Sequence, residues 1–243
     1  MTHSRCFGEP APGMPQEALP GRLIVIEGTD GVGRSTQVAL LREWLEAEGY
    51  AVLHTGLRRS DLTGPGIERA KRGHTLDPTT LHLFYATDFA DRLERLIIPA
   101  LRAGMVVLTD RYFFSIVARA VVRGIDRQWI EDVFGFALIP DRVFYLDVDL
   151  EHLVPRVLNS IGFNYWESGQ DFQGGSDLYQ NYVRYQTALL AEFGQIAEQY
   201  HFTVVDACQS IGEVFSILQR EIQPILDDMA RREESRPSVA QRA

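Results

Sequence analysis

Residues 22–49 place a strand, a glycine-rich turn and a helix end to end. Arg22–Glu27 (RLIVIE) is apolar and β-branched, the composition of a buried strand. Thr36–Gly49 (TQVALLREWLEAEG) has helical period and stops at a glycine. Between them runs Gly28-Thr29-Asp30-Gly31-Val32-Gly33-Arg34-Ser35-Thr36, which fits the frame G-x-x-x-x-G-[KR]-S-T in the strand–turn–helix setting an anion-binding loop requires. The glycines let the backbone curl so that successive N–H groups point inward, and the helix N-terminus adds a favourable dipole. All nine residues, Gly28 to Thr36, are therefore candidate phosphate-binding positions. Arg34 stands where the frame normally has lysine. It keeps the charge, but a planar forked guanidinium is not a conservative replacement for a compact ammonium. The Ser35 hydroxyl is a candidate ligand for a magnesium ion bridging two phosphates.

The same alternation continues along the chain. Ala51–His54, Met105–Thr109, Arg142–Leu146 and Phe202–Val205 read as further strands. Thr79–Leu101 (bent near Pro99), Gln128–Phe136, Leu178–Gln199 and Ile211–Leu226 read as helices. Apolar strands alternating with helices predict an α/β fold with a parallel sheet covered by helices on both faces. Residues 1–20, rich in proline and glycine, read as a flexible leader; 21–227 form one domain; 228–243 form a polar, flexible tail.

Composition narrows the partners. The formal net charge of -9 argues against coating a nucleic acid, whose phosphates demand a basic face. It leaves room for one local positive pocket. No apolar run reaches the roughly 18 residues a membrane span needs. Cys6 and Cys208 have neither framework nor metal-ligand spacing, so a reducing cytoplasm is expected. Lys71 is the only lysine beside a large arginine complement.

Three further segments bring a resemblance into view. Asp110-Arg111-Tyr112 with Ser115 resembles the D-R-Y-x-x-S segment of thymidylate kinases; Glu27-Gly28-Thr29-Asp30-Gly31 resembles the opening of their phosphate loop; Val205–Ile211 (VDACQSI) resembles their V-D-A-x-x-S-I segment. Phe84-Tyr85-Ala86 and Pro99-Ala100-Leu101 also fit, so the resemblance runs from about Gly21 to Leu226. It implies a P-loop NTPase-type five-stranded parallel sheet, ATP and Mg2+ as cofactors, a nucleoside monophosphate (dTMP by default) as acceptor, and a homodimer. By the same resemblance Arg34, Asp30 and Arg111 are catalytic. Ser35 and Asp110 hold the metal, and Ala207 flanks the ATP base. Arg58 and Arg111 hold the acceptor phosphate, Phe84 stacks on its base, and Ser115 belongs to the acceptor site.

The departures gather at the acceptor site and its cover. Asp88 stands where the family usually has a base-reading arginine, and an ionised carboxylate cannot donate that hydrogen bond. Arg92, one helical turn on, either restores the donor or only pairs with Asp88. Arg119 replaces an aromatic residue. The lid text Phe163-Asn164-Tyr165-Trp166-Glu167 lacks the family's arginine, and no basic residue occurs between Arg156 and Arg184. These differences keep two alternatives open at this point: another nucleotide or nucleoside as acceptor, or a nucleotide-binding homologue with impaired catalysis.

Overall fold

The computed structural model describes residues 6–13, 19–58, 60–73, 76–160, 162–174 and 177–234. Five strands, β1 (Arg22–Glu27), β2 (Val52–Gly56), β3 (Val106–Asp110), β4 (Arg142–Asp147) and β5 (Thr203–Asp206), pair in parallel in the order β2-β3-β1-β4-β5. The expected five-stranded parallel sheet is observed. In β1, Leu23 and Val25 feed one core cluster while Ile24 and Ile26 feed the other. A strand buried on both faces cannot alternate apolar with polar, which is why RLIVIE is apolar throughout.

Helices α1 (Arg34–Ala47), α7 (Leu150–Leu158) and α10 (Ile211–Glu234) cover one face; α2 (Gly64–Gly73) follows β2 and the short α8 (Gln170–Gln173) follows α7 in the chain. The other face carries α3 (Pro78–Arg92), α4 (Ile98–Arg102), α5 (Phe113–Val122), α6 (Arg127–Val133) and α9 (Leu178–Gln199). Between α3 and α4 the helix widens into a π turn over Leu93–Ile97, where the Ile98 N–H bonds the Leu93 carbonyl. Pro99 lacks an N–H and crowds the carbonyl four residues back, so the expected bend takes the form of a widened turn.

Two boundaries differ from the sequence reading. Within the leader, Cys6 is buried and bridges Leu138, and Phe7 packs edge-on against Phe113, Phe114 and Tyr200. Apolar contact with the core orders this stretch despite its neighbouring prolines and glycines. At the other end α10 continues through residue 228: Asp228 bonds the Arg22 guanidinium at 2.5 Å and Met229 is buried. The rest of the expected leader and tail, residues 1–5, 14–18 and 235–243, lies outside the described residues. Among the described residues no helix is long and apolar enough to cross a membrane.

Candidate active site

The C-terminal ends of β1, β2 and β3 meet at one edge, where parallel sheets of this kind hold ligands. Beyond β1 the loop turns through Gly31 (φ +84°) and Gly33 (φ +106°) into α1. A Cβ on Gly31 would lie 2.5 Å from the Val157 side chain, so both backbone and space demand glycine there. Gly33 caps α1 without a side-chain hydrogen bond, and the first turn carries no acidic residue. Its N–H groups are left for an anion. A cavity of about 630 Å³ opens over this turn, bounded by Asp30 to Gln37 on one side and by Arg156, Ala207 and Ser210 on the other. Arg156 donates to the Ala207 carbonyl at 2.9 Å, which holds the two flanks together. Gly28 and Thr29, expected among the phosphate ligands, do not line it; their carbonyls face the other way.

Those carbonyls are occupied by Arg34. Its Nη1 donates to both, and its Nε donates to Asp110 Oδ1 at 2.7 Å. The side chain is only 7% exposed. Arg34 therefore ties the loop carbonyls to β3 while still lining both the loop cavity and the polar opening beside it. Asp110 also accepts from the Ser35 hydroxyl at 3.0 Å. Burial pushes the Asp110 carboxyl upward, but Arg34 outweighs that and holds its pKa below the ordinary value. The result is a carboxylate and a hydroxyl side by side, hard oxygen donors of the kind magnesium takes.

Arg111 follows Asp110 with φ +71°, left-handed backbone that a non-glycine residue rarely adopts. Its conformation is fixed by neighbours: Arg111 N–H bonds the Ile26 carbonyl at 3.0 Å, and the Thr109 hydroxyl bonds the Arg111 carbonyl at 2.6 Å. Buried Glu27 accepts from the Tyr112 N–H at 2.7 Å and from the Ser115 hydroxyl. Burial raises the Glu27 pKa against the opposing pull of these bonds. The turn aims the Arg111 guanidinium at Asp30, which it bonds; Arg119 reaches the other Asp30 oxygen at 3.0 Å. Burial favours a neutral Asp30, yet Arg111 and then Arg119 drive its pKa well below the usual carboxylate range. Arg111 itself is lowered by burial and by the nearby Arg34 charge.

A second, narrower cavity lies on the far side of Asp30. Tyr85, Leu81 and His82 form one wall, Trp166 and Glu167 another, and Arg58, Lys71, Arg111 and Arg119 reach in. Segment 162–174 covers it. Two arginines one turn apart, Arg119 on α5 and Arg123 at its C-cap, hold two carboxylates of the cover: Arg119 bonds both oxygens of Glu167 (2.9 and 2.8 Å), and Arg123 bonds both of Asp171 (3.1 and 2.7 Å). Arg123 uses two nitrogens, a fork that fixes orientation as well as distance, whereas Arg119 shares its Nη1 between the two Glu167 oxygens. Gln186 on α9 adds a bond to the Glu167 carbonyl at 2.9 Å. Burial, against the pull of Arg119, raises the Glu167 pKa.

The structure thus brings Asp30, Arg58, Arg111 and Arg119 together around one cavity, but four expected acceptor residues stand elsewhere. Phe84 sits on the outer surface, 37% exposed. Tyr85, one position and about 100° further round α3, shares the inward face with Leu81. Ser115 is fully buried and serves Glu27. Asp88 and Arg92 are fully buried and pair at 3.0 Å. The Asp88 carboxylate accepts from the Arg58 N–H (3.0 Å) and the Ser60 N–H (3.1 Å), so it shapes the loop after β2 and does not face the cavity. Sequence reasoning also missed Tyr85, Lys71, Arg123 and Arg156. The quoted F-Y-A text held the signal for Tyr85, read one residue out of register.

Comparison with known proteins agrees with this geometry. The family model described as "Thymidylate kinase" matches residues 26–217. A protein named "Probable thymidylate kinase 2" from Saccharolobus solfataricus is 34% identical over 86% of this chain and 97% of its own length. "Thymidylate kinase" from Bifidobacterium longum subsp. infantis is 34% identical over 86% of this chain and 89% of its own. "Probable thymidylate kinase" from Thermococcus kodakarensis is 41% identical over 55% of this chain and 70% of its own. With the loop, the Asp110-Arg111 turn and most of its length matched, the chain belongs to the thymidylate kinase family.

Proposed function

We propose that the protein transfers the γ-phosphoryl group of ATP, with Mg2+, to dTMP. The observation that carries this is the position of Asp30, which lines both cavities. Anions bound on its two sides face each other across the Arg111 and Arg34 guanidiniums, the arrangement in-line transfer needs. The loop and the first turn of α1 cradle the donor phosphates. Ser35 and Asp110 would hold the magnesium ion, which when bound draws charge from the phosphate oxygens. Arg58 and Arg111 border the polar opening where the two cavities meet, and they take the acceptor phosphate. Ionised Asp30 accepts a hydrogen bond from the acceptor sugar and orients it. Tyr85 offers its ring face to the base. Glu167 and Trp166 cover the site and exclude water.

The acceptor cavity holds about 70 Å³, far below the roughly 300 Å³ of an ordinary ligand pocket. The cover therefore moves to admit dTMP, and the Arg119–Glu167 and Arg123–Asp171 pairs are the contacts it must break. Reactions of this kind are commonly gated by such segments.

The test is ADP release with a panel of nucleoside monophosphates. Turnover with dTMP clearly above the others supports the assignment, and an equal or greater rate with another acceptor overturns it. The same assay examines Arg34→Lys. An ammonium cannot hold the Gly28 and Thr29 carbonyls and Asp110 together as the fork does. Freed from one such bond, worth about 1 kcal/mol net, the cation swings toward the phosphates, and kcat rises about fivefold with KM for dTMP unchanged. A fall in kcat would show that the tie between the loop carbonyls and Asp110 matters more than a freer cation.

A further inference from the structure

The acceptor cavity has a polar end and an aromatic end. The polar end, shared with the phosphate loop, is lined by Ser35, Asp110, Arg58 and Arg111. Lys71 does not line that end; it lines the other, with Tyr85, Leu81 and Trp166. With the acceptor phosphate toward Arg58 and Arg111, the aromatic end receives the base.

The cations around this cavity differ in what already holds them. Arg119 is engaged by Asp30 and Glu167, Arg123 by Asp171, Arg111 by Asp30, and Arg58 by Glu68. Lys71 makes no ion pair among the described residues. Its Nζ lies 5.1 Å from the centre of the Trp166 ring, and the Trp166 Nε1–H bonds the Lys71 carbonyl at 3.2 Å. A cation over an aromatic face is held in place but keeps its N–H donors. Among the described residues its three donors make no hydrogen bond, and the side chain lines the cavity.

We propose that Lys71 is a base-reading residue, donating a hydrogen bond to the C4 carbonyl oxygen of the acceptor base and so selecting 4-oxo-pyrimidines over 4-amino-pyrimidines. This rests on the kinase reading above and assigns its base specificity. Asp88 and Arg92, the expected base readers, are buried and committed to each other. An exocyclic amino group in place of the carbonyl turns a donor toward the ammonium and leaves the cation facing another N–H. Burial, followed by the Arg58 charge, brings the Lys71 pKa down to about 8. Glu167 and Asp30 favour the ammonium but do not offset its burial, and an acceptor oxygen supplies a direct hydrogen bond. The contact with Trp166 also makes Lys71 part of the cover's seat, so binding of the right base favours closure.

Lys71 is the only lysine in the chain, so amine-directed chemistry reports on it without mutagenesis. Reductive methylation with formaldehyde is followed by mass spectrometry of the Lys71 peptide, which is distinct from the N-terminal amine. Methylation of Lys71 is expected to slow at least fivefold with dTMP and with thymidine, and not with dCMP or inorganic phosphate. In steady-state assays Lys71→Met is expected to raise KM for dTMP by about thirtyfold, the range of a hydrogen bond to a charged group, with KM for ATP unchanged. The kcat/KM preference for dTMP over dCMP falls by a similar factor, and Lys71→Arg retains most of it. Turnover of dTMP with Lys71 unprotected, or an unchanged preference in Lys71→Met, overturns the proposal and leaves the kinase reading intact. Protection by thymidine without turnover of dTMP does the reverse. A purely structural role for Lys71 would change unfolding temperature in Lys71→Met and leave the dTMP/dCMP ratio alone.

Discussion

Arg111→Gln is expected to lower kcat/KM for dTMP about a thousandfold while leaving the thermal unfolding midpoint within about 2 °C of the parent or slightly above it. The two halves have one cause. Arg111 sits in a cluster with Arg34 and Arg119, and its pKa is lowered by burial and then by the Arg34 charge. Its folded value lies below the unfolded one, so at neutral pH the charged form is less comfortable in the fold than in the unfolded chain. The cost is constant below the folded pKa and is lost only as pH rises from that value through the unfolded one, above the assay range. Its backbone is held left-handed at φ +71°, a conformation that costs about 1 kcal/mol or more. Glutamine removes the charge, keeps the backbone bonds to Ile26 and Thr109, and leaves Asp30 with Arg119 and Arg34. Stability therefore does not suffer. Catalysis does, because a charged donor aimed at developing negative charge is worth roughly 3–4 kcal/mol, or two to three powers of ten. The loss should fall on kcat and on KM for dTMP, with KM for ATP little changed. A midpoint drop above 5 °C, or a kcat/KM loss under tenfold, would show that Arg111 braces the fold and does not act on substrate.

The donor side of this site is written in consecutive residues, and that is why it can be read. Strand, loop and helix follow one another from Arg22 to Ala47, so local sequence fixes local geometry. What Arg34 does was not readable. What a guanidinium at this position ties together depends on Asp110, 76 residues away in the chain. The acceptor side is assembled from α2, α3, α5 and the 162–174 cover, and there register decides. A helix turns about 100° per residue, so misplacing the ring by one position exchanges Tyr85 in the cavity for Phe84 on the surface. Helix α5 was missed for a related reason. Phe113 to Ala118 form a buried, mostly apolar run at its start, and a short run of that kind does not separate helix from strand by period alone. Helix α2 begins Gly-Pro-Gly, text that reads as a turn, and Lys71 went unnoticed with it.

Asp88→Ala carries the largest expected effect on stability, a fall in unfolding midpoint of about 10 °C. Asp88 and Arg92 have no exposed side-chain surface and are joined at 3.0 Å. Removing one partner of a buried pair costs about 3–5 kcal/mol, since the other charge stays behind; at about 2–4 °C per kcal/mol for a chain of this size, that gives the quoted shift. The same carboxylate also accepts from the Arg58 and Ser60 N–H groups, and these lose their acceptor as well. The two losses separate in a double variant. Asp88→Leu with Arg92→Met replaces the ion pair by apolar volume, which is often close to neutral, but restores nothing to the two backbone donors. It should therefore recover only about half of the lost midpoint. Asp88→Asn, which keeps an acceptor oxygen without the charge, should fall between. Because Arg58 is set by this loop, Asp88→Ala should also raise KM for dTMP about tenfold at temperatures where it remains folded, an effect the double variant shares. Full recovery of both midpoint and KM in the double variant would mean that the loop after β2 stands without Asp88, and that its carboxylate serves only Arg92.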